Sequence, residues 1–131
     1  GVMQGGKVCE CACGTGGLTL PLHRRGFQMT GVDLSQEMLW IAAQKARKQG
    51  VGMPFIQQDM RSLHLHRQMD AVLATNDGLN YLKDAAELTD FFRAAYLAVR
   101  EGGGLFMDSP PLLHCRGKRA VPYGQTRREK V

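Results

Sequence analysis

The sequence contains no apolar run approaching the roughly 18 residues that a bilayer-spanning helix needs, and its first residues lack the basic-then-apolar order of a signal peptide. No membrane partner is therefore expected, and the reading is a cytoplasmic protein. Internal repeats and low-complexity segments are missing too, which excludes solenoids and other repeat arrays. Metal-ligand spacing is absent as well. Cys9, Cys11 and Cys13 stand two residues apart with only Cys115 elsewhere, and the histidines are scattered at positions 23, 64, 66 and 114. Zinc sites use gaps of about two to four residues on a turn plus a distant second pair, so no metal is expected. The cysteines read instead as small buried thiols in a reducing compartment.

Most of the chain also lacks an excess charge of either sign. Residues 1–111 hold 11 Lys+Arg and 11 Asp+Glu, whereas residues 112–131 hold 6 Lys+Arg against Glu129 alone, which accounts for the net charge of +5. A basic tail can grip phosphates, but this one has no aromatic interleaving beyond Tyr123 and reads as a loose terminus. A nucleic-acid partner is thus a secondary expectation.

What is present is a chain of 131 residues, 44% hydrophobic, of a size that suits one domain. Lys7 to Cys11 predicts a buried strand, and the glycine turn after it leads into a helical stretch carrying Leu18 and Leu22. A second strand spans Gln28 to Val32 and ends at Asp33. Ser35 then caps a helix to about Gln49, with Met38, Ile41, Ala42 and Ala46 on one face and Gly50 closing it. Pro54 to Gln58 predicts a third strand ending at Asp59, and Asp70 to Ala74 a fourth that opens into the loop TNDGLNYL. Asp84 to Arg100 predicts an amphipathic helix with a capping box at Asp84 and Glu87 and a stripe of Leu88, Phe91, Phe92, Ala95 and Val99. Glycines 102 to 104 would end it before a fifth strand, Leu105 to Met107, reaching Asp108.

Strands alternating with helices imply parallel pairing through right-handed crossovers, so the expected class is α/β, a three-layer doubly wound, mainly parallel sheet. Ligands in such sheets bind beyond the carboxyl ends of the strands. Glu10, Asp33, Asp59 and Asp108 lie in or just after those strands.

Three ligands compete for the stretch CECACGTGG at positions 9–17. A metal is disfavoured by spacing. A dinucleotide would use Gly14, Gly16 and Asp33, yet the third glycine of that fingerprint falls on Thr19, and Glu10 is an unsuitable neighbour for a pyrophosphate. An adenosine cofactor with a cationic amino-acid end wants a tight glycine loop, a carboxylate beside it, an acid for the ribose and a carboxylate for the adenine amino group. Glu10, Gly14 with Gly16, Asp33 and Asp59 supply these in chain order, which points to S-adenosyl-L-methionine.

ECACGTG, TGVDLSQEML, QQDM and DAVLATNDGLNYL together resemble the class I S-adenosylmethionine-dependent methyltransferases, over residues 7 to 108. The resemblance is to the small-molecule and poorly assigned branch of that Rossmann-like superfamily, with strand order 3-2-1-4-5. It implies that Glu10 lies near the methionine moiety and that Ala12, Gly14 and Gly16 line the cofactor. It further implies that Asp33 binds the ribose hydroxyls, that Leu34 and Met38 pack near the adenine, and that Asp59 and Met60 contact the adenine edge. Asn76 and Asp77 match the loop facing the transferred methyl, and Asp77 and Tyr81 become the candidates for orienting the acceptor.

Methyl transfer is an in-line displacement, so alignment and water exclusion matter most, and a base is needed only where the acceptor must lose a proton. DSPPL at 108–112 resembles the acid-Pro-Pro-aromatic motif of enzymes that methylate nucleic-acid amines, but it follows the fifth strand and carries Leu112 in place of the aromatic residue.

The expected organisation is a cofactor-binding core over residues 1–111 and a basic tail over 112–131. The tail is read as too short and polar for the further strands that such proteins carry. The chain then resembles a truncated core whose fifth strand is an exposed edge, able to pair with a second copy. The alternatives to methyl transfer onto a small molecule are a non-catalytic S-adenosylmethionine- or S-adenosylhomocysteine-binding core and a methyltransferase acting on nucleic acid.

Overall fold

The computed structural model describes residues 5–74, 82 and 84–107, together with the backbone strands 113–116 and 119–122. A seven-stranded sheet runs in the order β3-β2-β1-β4-β5-β6-β7. Its first five strands are β1 (Lys7–Cys11), β2 (Gln28–Asp33), β3 (Phe55–Gln57), β4 (Met69–Ala74) and β5 (Val99–Met107). They pair in parallel in the expected 3-2-1-4-5 order, with Cys11 opposite both Val32 and Ala74.

Each parallel pair needs a crossover. Helix α1 (Thr19–Arg24) joins β1 to β2, α2 (Gln36–Lys48) joins β2 to β3, and α3 (Ala85–Ala98) joins β4 to β5. Alternation along β1 divides the core between the two faces of the sheet. Cys9 and Cys11 join Val72, Phe91, Ala95 and Leu105 on the α3 side, while Val8 joins Met29 and Ala71, backed by Leu22 of α1.

The helix starts follow their caps. The Ser35 hydroxyl accepts from Met38 N at 3.2 Å, and the Asp84 carboxylate accepts from Glu87 N at 2.9 Å. The buried stripe of α2 is Leu39, Ala42 and Ala46, so Met38 and Ile41 face outward, a rotation of roughly one position from the expected stripe. Glycines 102 to 104 lie inside β5 rather than ending α3, because the chain passes from Ala98 directly into extended backbone. At Gly103 a Cβ would sit 2.5 Å from the Asp70 carbonyl oxygen, where β4 and β5 shift register. Only glycine allows that approach.

The sheet also departs from the expected bare edge. Strand β6 (Leu113–Arg116) pairs antiparallel with β5, and β7 (Arg119–Pro122) pairs antiparallel with β6. Both fall within the stretch read as a tail without further core strands. Covering an edge requires main-chain N–H and C=O groups, which any non-proline residue supplies, so a polar composition does not prevent it. With β6 in place, β5 is not the rim of the sheet, and pairing of two copies through it loses its basis. Among the described residues no helix is long and apolar enough to cross a membrane.

Candidate functional site

The loop that leaves β1 builds the centre of the site. Cys13 N donates to the Val32 carbonyl at 3.0 Å, Gly16 N closes a turn onto Cys13 O at 3.1 Å, and Leu20 N continues onto Gly16 O to start α1. Ala12 takes a left-handed backbone at φ 55, a conformation that costs an L-residue roughly 1 kcal/mol and is tolerated where surrounding structure imposes it. Gly14, at φ 58, turns its N–H toward the end of β2.

That N–H reaches Asp33. Oδ2 of Asp33 accepts from Gly14 N at 2.8 Å and Oδ1 accepts from Ser35 N at 2.8 Å. An ionised carboxylate offers about four acceptor positions, so roughly half remain for a ligand. Asp33 lines a cavity of about 250 Å³ at the carboxyl ends of the strands, together with Ala12, Leu34, Gln58, Asp59, Met60, Arg61, Leu82 and Glu87.

The opposite wall is ionic. Asp59 caps the short 3-10 turn Met60–Ser62 by accepting from Arg61 N at 2.9 Å. The Arg61 guanidinium then folds back onto the same carboxylate, with Nε 3.0 Å from each oxygen and Nη2 2.5 Å from Oδ2. Its Nη1 reaches Oε2 of Glu87, in the first turn of α3, at 3.0 Å. The hydrogen bond from the Arg61 side chain holds the Asp59 carboxyl below its ordinary range against the opposing effect of partial burial. Asp59, then Glu87 and Asp90, raise the guanidinium in turn.

Five of the residues expected around a cofactor therefore share one cavity: Ala12, Asp33, Leu34, Asp59 and Met60. Others stand elsewhere. Glu10 is fully buried and outside the cavity lining, and its Oε1 accepts from the Thr19 hydroxyl at 2.5 Å. Thr19 thus occupies the place of a third glycine because its hydroxyl serves the carboxylate beneath the loop. Gly16 packs against Leu20 and Ala42, 3.4 and 3.5 Å from its added Cβ. Met38 is 43% exposed on the outer face of α2. Asn76, Asp77 and Tyr81 lie outside the described residues.

Gln58, Arg61, Leu82 and Glu87 complete the lining, and no motif in the sequence marks any of them as a lining residue. Glu87 was accounted for by its cap, and the signal for Arg61 was its position two residues after an acid on a turn, from which a long side chain can fold back.

The cysteines behave as packing. Cys9, Cys11 and Cys13 are free and buried. Burial, then the carboxylates of Glu10 and Asp33, push the Cys13 thiol up to about 12. The hydrogen bond with Cys9, followed by burial, raises Cys11 as well. Cys13 also fills the space beside Gly31, where a Cβ would lie 2.9 Å from its sulfur and 2.8 Å from the Phe55 ring. Among the described residues no group of three His, Cys, Asp or Glu side chains converges as metal ligands.

Comparison with known proteins agrees with this geometry. Residues 8–103 match the profile of a family described as a methyltransferase domain. The chain is 38% identical over 104 residues to the YqeM protein of Bacillus subtilis (strain 168), covering 79% of this chain and 42% of that protein. It is 31% identical over 111 residues to a ubiquinone biosynthesis O-methyltransferase of Aeromonas salmonicida, covering 83% of this chain and 45% of the relative. Among solved structures it superposes on an S-adenosylmethionine-dependent methyltransferase from Clostridium acetobutylicum with a TM-score of 0.73 and 36% identity, over 79% of this chain and 43% of that one. The chain thus spans less than half the length of each of these three relatives. A profile matching most of the chain, relatives above 30% identity and the 3-2-1-4-5 sheet lead to one conclusion: the chain belongs to the class I S-adenosylmethionine-dependent methyltransferase family.

Proposed function

We propose that this chain is the cofactor-binding core of a cytoplasmic methyltransferase that moves a methyl group from S-adenosylmethionine to a small-molecule acceptor. The observation that carries the reading is Asp33. Its carboxylate is fixed by two backbone N–H groups at the cavity, with acceptor positions left over for a pair of hydroxyls. A ribose presents such a pair. Asp33 would hold it, Leu34 and Met60 would flank the base, and Ala12 would let the backbone pass close to the ligand.

The cofactor, when bound, supplies a methyl group already activated on a sulfonium, so the chain's own residues are left with binding, orientation and exclusion of water. Glu10, fully buried and tied to the Thr19 hydroxyl, is proposed to lie nearest the methionine end of such a cofactor. Asp77 and Tyr81, on the segment after β4, are proposed to orient the acceptor. A small acceptor is supported by the Aeromonas relative, named for ubiquinone biosynthesis. The buried free thiols suit the reducing compartment proposed here.

Thermal unfolding with S-adenosylhomocysteine or NAD tests the cofactor. At 100 times its dissociation constant a ligand adds about 2.7 kcal/mol, a shift of several degrees. Stabilisation by S-adenosylhomocysteine and none by NAD is expected; the reverse pattern would sink the reading. Labelled methyl transfer to a panel of phenols, amines and amino sugars then tests the acceptor class.

A further inference from the structure

Two carboxylates face the same cavity but differ in what is left of them. Asp33 spends two hydrogen bonds on backbone N–H groups. On Asp59 three N–H groups converge: the Arg61 backbone N–H, its Nη2, and its Nε, whose single hydrogen is shared between the two oxygens. Three donors take most of the roughly four acceptor positions of a carboxylate, so an amino group arriving at Asp59 meets the guanidinium as a competitor. Arg61 meanwhile has another anion in hand, Glu87 at 3.0 Å, with Asp90 of the same helix close enough to act on its charge. The pair is solvent-accessible, with side chains 41% and 26% exposed for Arg61 and Asp59, so exchanging one partner for another is inexpensive.

We infer that Arg61 is a specificity-determining residue that competes with the ligand's base for Asp59, and that the guanidinium moves onto Glu87 and Asp90 when a purine bearing a 6-amino group arrives. This rests on the reading of the cavity as an adenosine site. Strand β3 adjoins β2, so a base attached to a ribose at Asp33 extends toward Asp59 and Met60. An exocyclic amino group donates and can replace the guanidinium on Asp59. A 6-oxo group accepts, is repelled by Asp59 and finds its donor in Arg61. The guanidinium therefore lowers the advantage of adenine over hypoxanthine as well as the affinity for adenine itself.

Calorimetric titration of the whole chain with S-adenosylhomocysteine and S-inosylhomocysteine tests the inference in wild type, Arg61→Gln and Glu87→Gln. Removing the competitor is expected to tighten S-adenosylhomocysteine about fivefold, the scale of one exposed ion pair. S-inosylhomocysteine binding should stay equal or weaken. An Arg61→Gln affinity for S-adenosylhomocysteine equal to or below wild type overturns the inference, and so does equal tightening of both ligands, which a mere loss of positive charge would produce. Should circular dichroism show that Arg61→Gln does not fold, Glu87→Gln decides. Leaving the guanidinium with Asp59 as its main partner should weaken S-adenosylhomocysteine about threefold, and unchanged or tighter binding counts against competition. Wild type that binds neither ligand removes the adenosine site itself, an outcome distinct from two proteins that bind alike.

Discussion

Asp33 and Asp59 occupy the same kind of place, at or within two residues of the carboxyl end of a parallel strand, yet they are held by different means. The backbone holds Asp33: Gly14 N–H and Ser35 N–H are set by the glycine loop and by the cap of α2, and neither can turn away without unfolding its element. A side chain holds Asp59, and the guanidinium that grips it is exposed and shared with Glu87. Backbone donors make a rigid, half-used acceptor, suited to a ligand group that never varies. A side-chain donor makes an adjustable, mostly used one, from which the guanidinium can give way to a donor on the ligand. Stability follows the same division. The Asp33 side is held by main-chain hydrogen bonds, whereas the Asp59 side is a surface ion pair that salt screens.

The most damaging way to break this comparison is Asp33→Ala. Two backbone donors lose their acceptor and the ribose loses its partner, so the S-adenosylhomocysteine thermal shift should vanish, with affinity down by at least about a hundredfold in calorimetry. A surviving shift removes Asp33 from the site.

Next in size is Thr19→Val, which keeps the shape of α1 but withdraws the hydroxyl from a fully buried carboxylate. Urea unfolding should show a loss of about 1–3 kcal/mol, and an unchanged midpoint would mean that Glu10 does not depend on Thr19. Gly14→Ala should cost about 1 kcal/mol, since its Cβ would meet nothing within 4 Å and only the positive φ opposes it. A larger loss would reveal crowding that the loop geometry does not show.

The smallest effect belongs to Asp59. Its folded carboxyl titrates below the unfolded value of about 3.9, so its stabilisation is complete above that pH and fades as pH falls through the depressed folded value. The difference in stability between wild type and Asp59→Asn should therefore shrink below about pH 4, and shrink at neutral pH in high salt. A difference indifferent to both pH and salt would contradict the ionic account. At the other extreme of accessibility, Cys9, Cys11 and Cys13 should resist alkylation at pH 8 in the folded protein and react on unfolding, because the fold covers all three sulfurs.

Element types and order were legible because they rest on local signals: alternation in KVCEC, the Ser35 and Asp84 caps, and acids closing strands two and three. These are properties of short segments, and the parallel order follows once strands alternate with helices. Which face of α2 is buried was less legible, since Met38 and Ile41 are as apolar as Leu39 and only packing against the sheet chooses among them. The strand character of glycines 102 to 104 was hidden as well. Glycine signals a helix stop in the abstract, and the close passage of β5 over Asp70 became visible only in three dimensions. Strands β6 and β7 escaped because edge pairing is carried by main-chain groups that composition does not report.

For the site, the sequence by itself determined the acids and glycines and their places at the ends of strands, because strand position and turn chemistry are local. Only the tertiary structure decided what those groups touch. Glu10 is closed beneath α1 with Thr19 as a donor, Asp33 is left half free by two backbone amides, and Asp59 is gripped by Arg61. Those outcomes depend on distances between segments and on competition for a carboxylate's few acceptor positions, neither of which spacing along a chain can express.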